Sequence, residues 1–137
     1  ARAFRARVAG LAQRYAARPA VRVFYQVWAR PLLTVNGAHV ISKVIRLCGG
    51  ENVFAHLPLI APEIDREMVL RANPDAIVAG TGSDLDSWTR SPALAAAAQG
   101  HFYSIPPDLI ERHTPRILEG AERMCAILEK VRSGARS

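Results

Sequence analysis

Apolar residues recur along the chain at two alternating periods, and that alternation predicts the fold. Phe4, Val8, Leu11 and Tyr15 stand at helical spacing, which predicts an amphipathic helix over residues 3–17 with arginines on its wet face. Pro19 stops it. "VRVFYQV" (21–27) is β-branched and aromatic and predicts a buried strand, followed by the loop "WARPLLTVNG". Val40, Ile41, Val44, Ile45 and Cys48 share one face of a second helix, from about Ala38 to Cys48. "NVFA" then predicts a short extended piece and "HLPLIAPEI" a proline-containing loop. Asp65 can cap a third helix, "REMVLRA", which ends before Asn73-Pro74.

The remainder repeats the alternation. "DAIVAG" is a compact apolar strand, "GTGSD" a loop, "SPALAAAAQG" a short helix and "HFYSI" another strand. "PPDLIERH" predicts a loop or a single turn. Thr114 as N-cap with Pro115 at the first helical position opens a last helix to about Arg132, with Ile117, Leu118, Ala121, Cys125 and Leu128 as its inward stripe. Strands separated by helices need crossover connections. The expected fold is therefore α/β, a Rossmann-like three-layer unit with a mostly parallel sheet flanked by helices. In such sheets the ligand face is built by the loops after the strands' C-terminal ends, here "WARPLLTVNG", "GTGSD" and "PPDLIERH".

Composition sharpens this only in part. The chain has 137 residues, half of them hydrophobic, enough for one domain with a single core. No run of about 18 apolar residues predicts a membrane-spanning helix, and the opening "ARAFRARVAG" is not expected to act as a signal peptide. Residues 1–50 carry nine basic side chains and no acid, whereas residues 51–137 carry nine basic and twelve acidic. The net charge of +6 raises a basic nucleic-acid-binding domain as an alternative class. Against it, sixteen of the eighteen cations are scattered arginines, without a basic block or an interleaved aromatic platform.

Candidate chemistry is sparse. In "IRLCGGENVF" the glycines follow a helix instead of preceding one, so Gly49 suits a left-handed helix stop and not a phosphate loop. Cys48 and Cys125 both lie on apolar helix stripes, 77 positions apart, as buried thiols or as a disulfide. His39, His56, His101 and His113 show no metal-ligand spacing and are expected in loops or at the surface. No Gly-x-Ser-x-Gly pattern or other catalytic constellation is present, so no enzyme and no metal site is expected.

The segments "VFYQVWARPLLTVNG", "LCGGENVFA", "IDREMVLRANPDAIVAG", "FYSIPPDLIER" and "TPRILEGAERMCAIL", in that order, resemble the C-terminal lobe of periplasmic cobalamin (vitamin B12)-binding proteins of ABC importers. The wider group is the helical-backbone substrate-binding proteins, which also serve siderophores and haem. The resemblance implies one half of a two-lobed receptor, with residues 1–18 as the end of the interlobe connecting helix and 19–137 as the substrate-binding lobe. It implies a disulfide between Cys48 and Cys125, a pocket role for Asp108 and Arg112, and docking on a membrane permease through Glu67. The expected ligand is cobalamin or another metal chelate, with no resident cofactor, and the expected location is the periplasm. Leu33 and Ala61 stand where cobalamin binders commonly place aromatics. Trp28, in the loop after the first strand, is either the replacement or a core tryptophan, whereas Trp88 is expected to pack against "PALA".

Overall fold

The computed structural model describes residues 2–80, 84–112 and 114–134. Its elements in chain order are α1 (Arg2–Tyr15), β1 (Val21–Gln26), α2 (Val40–Leu47), β2 (Gly50–Asn52), α3 (Arg66–Ala72), β3 (Ala76–Gly80), α4 (Asp86–Thr89), α5 (Ala95–Gln99), β4 (Phe102–Ile105), α6 (Pro107–Ile110) and α7 (Ile117–Ser133). The four strands form one sheet in the order β2-β1-β3-β4, every pair parallel.

Strand side chains alternate between two cores, as the period of two requires. Val21, Val23 and Tyr25 of β1, Val78 of β3 and Tyr103 and Ile105 of β4 face the layer of α1, α2 and α7. Phe24, Ile77 and Phe102 face the opposite layer, with Val69 of α3, Trp88 of α4 and Ala96 of α5. β1 and β3 are buried on both faces, which is why each reads as a near-continuous apolar run.

Local signals place the helix ends. Asp65 caps α3, its Oδ1 accepting from Met68 N–H at 2.9 Å. His39 caps α2 through ring Nδ1, which accepts from Ile41 N–H. Gly49 ends α2 with φ +80°, the left-handed conformation its position predicted. The Thr114 hydroxyl accepts from Arg116 N–H at 3.2 Å, a capping contact, although regular α7 starts only at Ile117. α1 buries only its last turn: Tyr15 is 4% exposed but Phe4 is 39% exposed.

One predicted element is displaced. The extended piece expected at "NVFA" is Gly50–Asn52, and residues after it turn away. The cause is Asn52, whose Oδ1 accepts from Phe54 N–H at 2.8 Å and closes an Asx turn just where the strand would continue.

Cys48 and Cys125 form a disulfide with an S–S distance of 2.06 Å, joining the end of α2 to the middle of α7. Arg132 reinforces the junction. Its side chain is 8% exposed and donates to Cys48 O at 2.7 Å and Pro19 O at 2.8 Å while paired with Glu129. Replacing both cysteines by serine is expected to lower unfolding free energy by about 4–5 kcal/mol, the loop-closure contribution of a 77-residue span. Urea denaturation of the two proteins at one pH measures it, and a loss below about 1 kcal/mol would contradict the expectation.

Candidate functional site

Because the strands are parallel, all the loops after their C-terminal ends emerge along one edge of the sheet. Of "GTGSD", residues 81–83 lie outside the described residues, as does His113 at the end of "PPDLIERH". The loops after β1 and β2 are joined by backbone pairing. Val27 N–H donates to Leu33 O at 2.9 Å and Leu33 N–H to Trp28 O at 3.1 Å, closing a hairpin that contains a cis Arg30-Pro31 peptide. Leu33 then pairs with Glu63 across an antiparallel bridge. Thr34 N–H donates to Pro62 O, Asn36 N–H to Ile60 O and Ile64 N–H to Leu32 O, at 2.9–3.1 Å.

Buried polar side chains fix this double loop from beneath. The Asn52 amide donates to Val35 O at 2.8 Å and to the Ser42 hydroxyl at 2.7 Å. Asn36 donates to Leu57 O and accepts from Ala38 N–H, and the Thr34 hydroxyl donates to Tyr25 O at 2.7 Å. Each of these groups is desolvated, so loss of one partner strands the other, at roughly 1–3 kcal/mol.

On this scaffold Trp28 is 58% exposed, so it is not a core tryptophan. Bridge partners on an antiparallel pair share a face, and the bridges Trp28–Leu33 and Leu33–Glu63 therefore set these three side chains in a row. Leu33 is half-buried in the middle of it, and Ala61 is exposed nearby in sequence. Leu59 and Ile60, 67% and 55% exposed, add apolar surface that the sequence reading passed over as loop. The available signal was two adjacent large aliphatics flanked by proline, in a stretch with no helical or strand period to bury them.

A cleft of about 230 Å³ opens between the C-terminal ends of β1 and β3, lined by Gln26, Arg30, Asp84, Ser87 and Trp88 among others. The order of strand addition reverses there, since β1 leads outward to β2 on one side and β3 leads to β4 on the other. Trp88 is core, as expected. It meets Phe24 edge-on at 5.8 Å, shares its cluster with Leu94 and Ala96, and donates its indole N–H to Gln26 Oε1 at 2.7 Å. Gln26 in turn donates to Asp84 O, and Arg30 pairs with Asp84 at 3.2 Å.

Asp108 lies in α6 and Arg112 just beyond it, both exposed, and they pair with each other at 3.5 Å. Two contacts hold α6. A Cβ at position 120 would collide with the Leu109 carbonyl, so glycine at that point lets α7 press against the turn. Tyr25 donates its hydroxyl to Glu111 Oε2 at 2.8 Å. Burial first, then the Glu111 charge and that hydrogen bond, push the Tyr25 phenol far above its ordinary 10.0.

Glu67 stands in the first turn of α3, on an exposed surface, with Arg71 at 2.8 Å. His56 is exposed. His101 departs from the surface expectation: it is 3% exposed and its Nδ1 lies 3.0 Å from the Tyr103 hydroxyl, because its position directly before β4 drives it inward. Among the described residues no group of three or more His, Cys, Asp or Glu side chains could hold a metal ion, and no helix is long and apolar enough to cross a membrane. Many of the arginines are in surface ion pairs, such as Arg7–Glu122 and Arg18–Glu129, instead of forming one basic patch.

Two measurements follow from this geometry. Iodide should quench the Trp28 emission and leave Trp88, 2% exposed, almost untouched, so that Trp28→Phe leaves a single protected fluorophore; equal quenching of both would contradict the placement. Tyr25 is harder to ionise folded than unfolded, so its contribution to stability is complete below about pH 10 and declines as pH rises further. Tyr25→Phe should remove about 1.4 kcal/mol of the stability lost between pH 9 and 11, most of it above pH 10, read from denaturation curves across that range, with burial-raised Tyr103 leaving a residual slope. An unchanged slope would refute it.

No family model matches the chain. A vitamin B12-binding protein of Vibrio parahaemolyticus is 34% identical over 135 residues, covering 96% of this chain and 49% of that protein. The periplasmic vitamin B12 binding protein BtuF of Vibrio cholerae superposes with a TM-score of 0.85 at 30% identity, over 95% of this chain and 52% of that one. The periplasmic heme binding protein HutB of Vibrio cholerae, at 15% identity and a TM-score of 0.75 over 90% of this chain and 52% of its own, shares the fold. The chain spans about half the length of the curated relatives it matches. Over about half of their length it is a homologue of the vitamin B12-binding proteins.

Proposed function

We propose that the chain is the C-terminal lobe, residues 19–137 with the end of a connecting helix at 1–18, of a two-lobed periplasmic receptor that delivers a corrinoid to an ABC importer. The observation that carries the reading is the 34% identity to a vitamin B12-binding protein across 96% of the chain. The geometry of the loop edge supports it. Trp28 offers a flat apolar face beside Leu33, where a ring is otherwise missing, and the Asp108–Arg112 pair offers polar groups that orient a ligand. A receptor of this kind performs no covalent chemistry. Affinity comes from apolar area removed from water between two preformed walls, and orientation from a few hydrogen bonds.

In this reading Glu67 docks the lobe on cations of the permease. A carboxylate in the first turn of α3 is favoured by the helix dipole. It is exposed, and its present partner Arg71 is a surface neighbour that a stronger partner can replace.

Calorimetry on the two-lobed protein should give a Kd for cyanocobalamin of about 1 μM or below, with this chain alone at least about a hundredfold weaker. Glu67→Ala should leave that Kd within about twofold while weakening capture by the reconstituted permease about tenfold or more. Heat with haem or a ferric siderophore and none with any corrinoid would replace the ligand. No heat with any of the three would overturn the receptor reading.

A further inference from the structure

We infer that Glu63 is a specificity-determining residue of the ligand wall, its carboxylate accepting a hydrogen bond from a peripheral amide N–H of the chelate and rejecting chelates that present a carboxylate there. This rests on the receptor reading and narrows it to amide-bearing corrinoids. Three observations carry it. The first is position, since the bridges Trp28–Leu33 and Leu33–Glu63 put the carboxylate on the same face as the exposed indole. Neighbours across such a ladder are about 5 Å apart, so the row runs roughly 10 Å from ring to carboxylate. A flat macrocycle resting on Trp28 and Leu33 would then bring its rim to Glu63.

The second is that Glu63 is uncommitted. Elsewhere on this edge Asp84 pairs with Arg30, Asp108 with Arg112, Glu111 accepts from Tyr25 and Asp65 caps α3. The exposed Glu63 side chain has no hydrogen-bond or ion-pair partner among the described residues. Closure of a second wall over a bound ligand would remove water from it, and a desolvated carboxylate without a donor is costly. An ionised carboxylate accepts only, so the ligand must supply the N–H.

The third is local charge. Segments 27–39, 53–66, 84–86 and 106–112 carry three cations, Arg30, Arg66 and Arg112, against six carboxylates, in a chain of net charge +6. Arg30 and Arg112 already face carboxylates, and Arg66 lies over the Trp88 ring and donates to Ser87 O. The edge is therefore acidic on a basic protein, which disfavours propionate- or carboxylate-bearing chelates and tolerates the neutral amides of a corrin rim.

The test titrates the two-lobed protein, wild type and Glu63→Gln, with cyanocobalamin and separately with its b-, d- and e-monocarboxylic acids, each with one propionamide converted to a carboxylate. Wild type should bind at least one of the acids about tenfold or more weakly than cyanocobalamin. Glu63→Gln should bring that same acid within about threefold of cyanocobalamin, with Tm unchanged, because the amide keeps an acceptor and drops the charge. Equal binding of all four ligands by the wild type, or a penalty that survives in Glu63→Gln, would overturn the assignment. A wild type that binds no corrinoid would instead remove the receptor reading, and the assignment with it.

Discussion

The parallel sense of all four strands is the constraint from which the rest of this molecule follows. It forces each connection back across a face of the sheet, which puts α2 on one side and α3, α4 and α5 on the other, with the flanking helices α1 and α7 packed on the side of α2. It also gathers every outgoing loop at one edge. Wherever ligand chemistry lies in such a fold, that edge is the place with backbone free to meet it. The opposite edge does structural work. There the disulfide and Arg132 tie the end of α2, the entry to β1 and the body of α7 into one unit.

The loop edge is held by polar contacts as well as by the apolar packing of Val35, Phe54 and Ile64. Asn36, Asn52, Thr34 and Ser42 are all below 10% exposed and all hydrogen-bonded, mostly to backbone carbonyls of the two long loops. Apolar contacts tolerate sliding, whereas a buried amide that must meet one carbonyl does not. The double loop is thereby preformed, and its exposed residues, Trp28, Glu63, Leu59 and Ile60, are presented on fixed backbone. A preformed wall loses less conformational entropy on binding than a mobile one.

Much of this was legible in the sequence, for physical reasons that differ by element. β1 and β3 announce themselves because burial on both faces leaves few polar interruptions, Arg22 and Gln26 in β1, whereas α2 shows by its apolar period and α3 by Asp65 as a cap. The strand at Gly50–Asn52 was misplaced because what ends it is a side-chain hydrogen bond two residues on, invisible to periodicity. His101 was misread because an imidazole is content in a core once it has a hydroxyl partner, and Tyr103, two residues on, lies on the same face of the pleat. The cysteine stripes left core thiols and a bond equally open until family resemblance paired them. Of the site, Trp28, Leu33, Asp108 and Arg112 were named in advance, but the antiparallel bridges that line Glu63 up with the indole arise from two loops far apart in sequence.

The central claim is that ligand meets the C-terminal edge of the sheet on a wall that exists before binding. Amide hydrogen exchange of the two-lobed protein, with and without cyanocobalamin, tests it most directly. The account predicts that amides of Val27, Leu33, Thr34, Asn36 and Ile64 are protected in the free protein, and that binding slows exchange at residues 27–36, 57–64 and 106–112 alone within this lobe. Fast exchange of those amides in the free protein, or slowing centred instead on Ala20, Asn73 and Gly100 at the opposite edge, would contradict it.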